Sequence, residues 1–507
     1  MARIIVVALC VFVSLGALIF GMDGGYLSGV LAMPNFIEDF GRYDAVHNKH
    51  YISASQQSFI TSFPYVGQFG AAMVGGYIGD HFGRRWGLFV MCVVSIVGVV
   101  MQIVAKNEAL FVAGRFFNYI SIGFATIFVP VYQAECSPRK IRGTMITLYQ
   151  LNIVLGSFVI SIVNNFTQHI KSDASYRIPI GLLLILPILI IPGLPFLPES
   201  PRWLMKKGRE EDARKSLTLL HKDDVDFSVE SEIAFLKATI TEQEELNKSS
   251  TWADCFRGTN LRRTLLAILI QVMQQFTGVS FIFNYGTVFF SQVGVGGPFI
   301  IMIMTNLVNL IGTVVSFFLV DRLGRRPLLL AGSVIMFIGQ LSVGVSGLKA
   351  EEGDMKAKKA IVAFVLIYVF GFAASWGPLA WVITSEVSTN TIREKTQALG
   401  SASNILASWV VTFTLPYLTN ADQAGLGPKV GFIFACFVAI GGVYTYIFVP
   451  ETSGRALEEL DELFQKGVPS RKFKGYQITG AAALVDQSLE SKSFDNEKPS
   501  ELSKTEV

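Results

Sequence analysis

Charge is scarce in this chain of 507 residues: Asp, Glu, Lys and Arg make up 16% of it, where a soluble domain carries about 25%. Cysteine and histidine occur five times each. Cys10, Cys92, Cys136, Cys255 and Cys436 are isolated, which removes any CxxC metal or redox site and makes a disulfide framework unexpected. No His/Cys/Asp cluster has the spacing of metal ligands or of a nucleophile and its base, so an enzyme is not expected. No filter or ring of pore-lining charges points to a channel. The reading expects no cofactor, no metal and no nucleic-acid partner. The net charge of +3 says nothing beyond an asymmetry between loops.

Apolar sequence is plentiful: 51% of the residues are hydrophobic and the mean hydropathy is +0.47. It comes in blocks near the roughly 20 residues that a helix needs to cross a bilayer. Twelve spans are predicted, near 4–22, 58–79, 87–105, 109–132, 144–164, 178–197, 265–290, 297–320, 328–348, 361–384, 397–418 and 428–449. The chain thus reads as an all-α membrane protein whose first partner is the lipid bilayer. Roughly thirty of its Lys and Arg residues fall on the side of the termini and about ten on the other, which places both termini and the loop 203–262 in the cytoplasm. The first span starts almost at Met1 but lacks a small-residue cleavage site, so it is read as retained. The sequon Asn165-Phe166-Thr167 falls in a predicted outer loop.

The chain also repeats itself. "GDHFGRR" at 79–85 returns as "VDRLGRR" at 320–326, "ECSPRKIRG" at 135 as "EVSTNTIRE" at 386, and "PESPRWL" at 198 as "PETSGRAL" at 450. The offsets are 241, 251 and 252 residues. Basic turns alone follow from topology, but that does not account for Glu135 and Glu386 or for the matched spacing. Two parallel six-helix halves joined by a cytoplasmic loop make a transporter architecture, with the substrate site near the midplane. The expected divisions are 1–202, a helical linker 203–262, 263–467, and a disordered cytoplasmic tail 468–507. The linker mixes charge with periodic leucine, as short amphipathic helices do.

Eight motifs in order resemble the sugar porter branch of the major facilitator superfamily, most closely its fungal hexose transporters. They are "GRR" at 83, "GR" at 114, "PVYQAECSPRKIRG" at 130, "PESPRWL" at 198, "QQFTGVSFIFNY" at 274, "DRLGRR" at 321, "WGPLAW" at 376 and "PETSGRALEEL" at 450. The resemblance covers roughly residues 10–460. It implies a plasma-membrane carrier, acting as a monomer, that moves a monosaccharide by alternating access. A hexose such as glucose is expected, or a pentose, with proton symport. A facilitative uniporter, a polyol or organic-acid porter, and a non-transporting sensor on the same fold remain the alternatives.

A sugar ring presents hydroxyls that both donate and accept, which suits neutral amides. Gln271, Gln274, Gln275 and Gly278 recur at i, i+3, i+4 and i+7, one face of a helix. Polar residues in spans also serve as interhelical hydrogen bonds, the alternative reading of this stripe. By resemblance the sugar ligands are Gln150, Gln274, Gln275, Asn309, Trp381 and Asn404, with Ser280 where the family usually has Asn. Further departures are Ala380 for a proline of "GPxPW", Asn284-Tyr285 for a tyrosine pair, and His81 for a basic residue of the first motif.

Asp23, inside the first apolar run, and Arg115, inside the fourth, are ionisable residues at membrane depth, where a charge needs a partner or water. The resemblance makes them the proton-coupling pair. It also makes Arg84, Arg85, Glu135, Arg142 and Glu199, with Arg325, Arg326, Glu386, Arg393 and Glu451, two charge networks that gate the cytoplasmic side.

Overall fold

The computed structural model describes residues 4–476, apart from 46–47, 138–141, 222–226, 351, 390, 421 and 456. Twelve spans follow in order. The first is Ile4–Val30, the second Ala54–Ser62 with Pro64–Phe82, the third Arg84–Val104, the fourth Glu108–Cys136, the fifth Arg142–Thr167 and the sixth Ala174–Leu182 with Ile185–Gly193. After the linker come the seventh, Gly258–Phe276 with Val279–Val293, the eighth, Pro298–Leu323, and the ninth, Arg325–Ala350. The tenth runs from Met355 to Glu386, the eleventh is Arg393–Thr419 and the twelfth Val430–Phe448. Eleven have the length and apolar content to cross a membrane; the glycine-rich second span is the exception. Polar side chains start several of them: Asn107 accepts from the Leu110 N–H at 2.9 Å and Asp354 from that of Lys356 at 2.8 Å.

Several elements differ from the predicted spans. The first helix runs to Val30, so Asp23 sits inside it and not at its end. Gly21 packs there so closely on the fifth span that a Cβ would lie 1.9 Å from the Ile153 carbonyl. The seventh span is two helices, because Gly278 has φ +95° and presses on the Phe434 ring, 2.8 Å from where its Cβ would be. Gly278 is therefore the break and does not continue the glutamine face. The tenth span widens into a π-helix at Phe372–Trp376. The fifth helix extends to Thr167, so the sequon lies in its last turn, where the Asn165 side-chain oxygen accepts from Gln168.

Between the halves lie the linker helices Pro201–Lys206, Glu210–Leu220 and Val229–Ser249. Where the sequence reading begins a disordered tail at residue 468, residues 468–476 are packed. Val468 and Phe473 are buried, and Arg262 donates to the Val468 carbonyl and the Ser470 hydroxyl. Residues 477–507 lie outside the described residues. The buried apolar side chains form two large clusters, one drawn almost entirely from the first six spans and one from the last six.

Candidate functional site

Near the centre of the first half, Asp23 and Arg115 are both buried, with a carboxylate–guanidinium distance of 4.0 Å. That is the loose limit of an ion pair. Arg115 commits its stronger contacts elsewhere: Nη1 donates to the Tyr26 hydroxyl at 2.6 Å and Nε to the Ile60 carbonyl at 3.3 Å. The Tyr26 hydroxyl in turn donates to Gln102. The guanidinium carbon also lies 5.0 Å from the Tyr119 ring centroid, within cation–π range. Asp23 Oδ1 accepts from the Asn118 amide at 2.6 Å, and Oδ2 has no hydrogen-bond partner among the described residues. Sequence reasoning missed Tyr26 and Asn118, although each stands three residues after a predicted charge, on the same helix face.

The second half carries no such charge in the corresponding place; it holds a web of amides. Gln274 Nε2 donates to the Trp376 and Gly377 carbonyls at 3.0 and 2.8 Å, which lie at the π-widened part of the tenth span. Its Oε1 accepts from Asn404 at 2.9 Å and Gln275 at 3.3 Å. Asn404 also donates to Gln271 Oε1 at 2.8 Å and accepts from Gln275 at 3.2 Å. Ser280 donates to Gln275 Oε1 at 2.9 Å. Of the predicted ligands, Gln274, Gln275, Ser280 and Asn404 are thus brought together, with Gln271. Half-buried Gln150, buried Asn309 and Trp381, which is 45% exposed, do not hydrogen-bond to that web. Gln274 has both N–H groups and both oxygen lone pairs occupied, so a ligand reaching it must displace a protein contact. Gln275 and Ser280 keep free acceptor capacity.

The repeated motifs close two matching networks at the linker ends of the spans. Arg84 binds Glu135 with two N–H donors on two oxygens, both at 2.9 Å, while the backbone N–H groups of Arg84 and Arg85 donate to Glu199. In the second half Arg325 binds one oxygen of Glu386 at 3.2 and 3.0 Å, and the N–H groups of Arg325 and Arg326 donate to Glu451. Gly83 and Gly324 have φ +101° and +89°, and a Cβ on either would sit within 3 Å of the Glu199 or Glu451 carboxylate. That is why "GRR" begins with glycine. Burial pushes the Glu199 carboxyl above its ordinary range, against the pull of the N–H groups of Ser200, Arg85 and Arg84. Arg393 makes no ion pair among the described residues, and the Arg142 side chain lies outside them. Each network stays within its own half.

Side-chain hydrogen bonds between the halves gather at the opposite ends of the spans. Ser28 bonds Thr287 at 3.0 Å, Ser58 donates to the Phe413 carbonyl at 2.7 Å, and Asn420 donates to Gln57 at 3.0 Å. Thr61 meets the Tyr285 hydroxyl, which reaches the Thr412 carbonyl at 2.8 Å. Among the described residues, every side-chain hydrogen bond between the halves lies toward the ends remote from the linker. The halves are hydrogen-bonded together there.

Twelve spans in two like halves, hydrogen-bonded to each other at one end, with polar groups between the spans near their middle, define a major facilitator transporter. The family described as "Sugar (and other) transporter" matches residues 9–464. The chain is 38% identical to the major facilitator-type transporter ecdD of Aspergillus rugulosus, over 93% of this chain and 89% of that one. It is 35% identical to the probable glucose transporter rco-3 of Neurospora crassa, over 90% and 78%. It is also 34% identical to the high glucose sensor RGT2 of Saccharomyces cerevisiae, over 90% of this chain and 60% of the sensor. Among solved structures it is similar to the inward open xylose transporter XylE of Escherichia coli, at 26% identity and a TM-score of 0.74, covering 90% and 99% of the two chains. The chain belongs to the sugar transporter family of the major facilitator superfamily. It is a multi-pass membrane transporter and not an enzyme.

Proposed function

We propose that this protein imports a monosaccharide, a hexose such as glucose or else a pentose, together with a proton, by alternating access across the plasma membrane. The observation that carries the reading is the pairing of two chemistries: a buried carboxylate and guanidinium in one half, and a neutral amide web in the other. The amides suit a polyhydroxylated neutral solute, and a charged solute would find no counter-charge among them. Gln275, Ser280 and Asn404 are the primary ligands in this reading. Gln150, Asn309 and Trp381 complete the site from the fifth, eighth and tenth spans, and Gln274 joins when the sugar displaces a tenth-span carbonyl. The relatives support sugar as the class, since one is named a probable glucose transporter and a structure at 26% identity is titled a proton:xylose symporter.

Asp23 takes up the proton in this account, and Arg115 balances the carboxylate when it is ionised. With the linker and both termini placed in the cytoplasm, the hydrogen bonds that join the halves at the remote ends support an inward-facing state of a monomeric carrier. The Arg–Glu networks then act by keeping each half rigid as it rocks, so the gating residues work within a half and do not bridge the gap. Uptake of labelled glucose and xylose into transporter-null cells, with and without a protonophore, tests the proposal. Uptake that the protonophore abolishes supports it. Protonophore-insensitive uptake makes the protein a uniporter, and sugar binding without uptake makes it a sensor.

A further inference from the structure

Asp23 has a nearer partner than its arginine. The Asn118 amide on the fourth span is fully buried and donates to Asp23 Oδ1 at 2.6 Å, where Arg115 stands off at 4.0 Å. The direction of that amide is set from behind. Ser95, on the third span and also fully buried, donates to the Asn118 side-chain oxygen at 3.1 Å, which leaves the NH2 end toward the carboxylate. Three helices are therefore linked through neutral groups, Ser95 to Asn118 to Asp23, while Arg115 is drawn off by Tyr26.

The other groups that share this interior are few. Arg115 and Tyr119 come from the fourth span, Tyr26 from the first and Tyr65 from the second, edge-on to the Tyr119 ring with centroids 5.2 Å apart. Tyr149 on the fifth span and Tyr285 on the seventh make no bond to Asp23. No second carboxylate faces it among the described residues. An N–H donor stabilises a carboxylate more than the corresponding acid, and a bond to a charged group is among the stronger ones. We infer that Asn118, oriented by Ser95, is a positioning residue that sets the pH at which Asp23 exchanges its proton. The consequence for transport rests on the proton-coupled reading; the hydrogen-bond relay does not.

The experiment uses the full chain, purified into lipid nanodiscs. The protonated Asp23 carboxyl is followed by infrared spectroscopy across pH and assigned by its absence in Asp23→Asn. In Asn118→Leu the protonated band is expected to persist to higher pH, its midpoint displaced by about one pH unit or more. Ser95→Ala, a milder change that keeps the test alive should Asn118→Leu fail to fold, is expected to move it the same way by less. In an Asp23→Asn background, Asn118→Leu is expected to leave the pH profile of sugar exchange unaltered, and a profile that still shifts there places the effect on another group and overturns the inference. Midpoints that stay in place in both variants overturn the inference. A displaced midpoint with wild-type uptake indifferent to pH upholds the relay and refutes proton coupling, so the two failures are distinguishable.

Discussion

In its first half the protein places Asp23 and Arg115 at membrane depth; in its second half the comparable depth holds Gln271, Gln274, Gln275 and Asn404. At the linker ends the contrast disappears. Gly83, Arg84, Glu135 and Glu199 recur as Gly324, Arg325, Glu386 and Glu451, with the same positive φ at the glycine and the same backbone N–H bonds to the last glutamate. The repeat has kept its mechanical parts and separated its chemistry. A turn that must pass under a carboxylate tolerates little variation, whereas the helix middles need only be helical and buried, so either half can specialise.

The sharpest way to break this comparison is at the paired turns. Gly83→Ala and Gly324→Ala each force a side chain into a conformation reserved for glycine and onto a carboxylate. Each is expected to lose several kcal/mol of stability (about 1–3 from the backbone alone), read as a large drop in membrane yield and thermal midpoint. If only one of the two is sensitive, the mechanical equivalence fails.

A comparable but asymmetric effect is expected at the arginines. Arg84→Gln breaks a buried two-oxygen pair and should cost about 3–5 kcal/mol. Arg325→Gln should cost less, because both its donors share one Glu386 oxygen and the pair is somewhat more exposed. Thermal unfolding of the purified variants measures the difference.

The amide web gives the next effect. Gln275→Ala is expected to weaken sugar binding by roughly 1–3 kcal/mol, about 5- to 150-fold, with the pH profile unchanged. Ser280→Ala should have the smallest effect, within about tenfold, since one hydroxyl bond to Gln275 Oε1 is lost. Equilibrium binding of labelled sugar checks both.

Much of this architecture was legible in the sequence because bilayer thickness imposes long apolar runs, and because the GRR, Glu and PE(S/T) motifs recur at near-constant offsets. The breaks were harder to read. Gly278 fits a helical stripe by spacing, and only its φ of +95° shows that it ends the helix. The π-widening at Phe372–Trp376 leaves no periodicity signature over five residues. Asn118 and Ser95 look like ordinary packing polars until three helices converge on them. The hydrogen bonds that join the halves at the remote ends were not legible either, because Ser28, Ser58 and Thr61 are residue types common in any span.

The central claim, that one half handles the proton and the other the sugar, is tested most directly by reconstituting Asp23→Asn in proteoliposomes. Sugar counterflow and proton-driven accumulation are then measured in the same preparation. Because asparagine mimics the protonated carboxyl, the account expects counterflow to continue, at least in part, while accumulation above equilibrium disappears. Accumulation at the wild-type level in Asp23→Asn would contradict it.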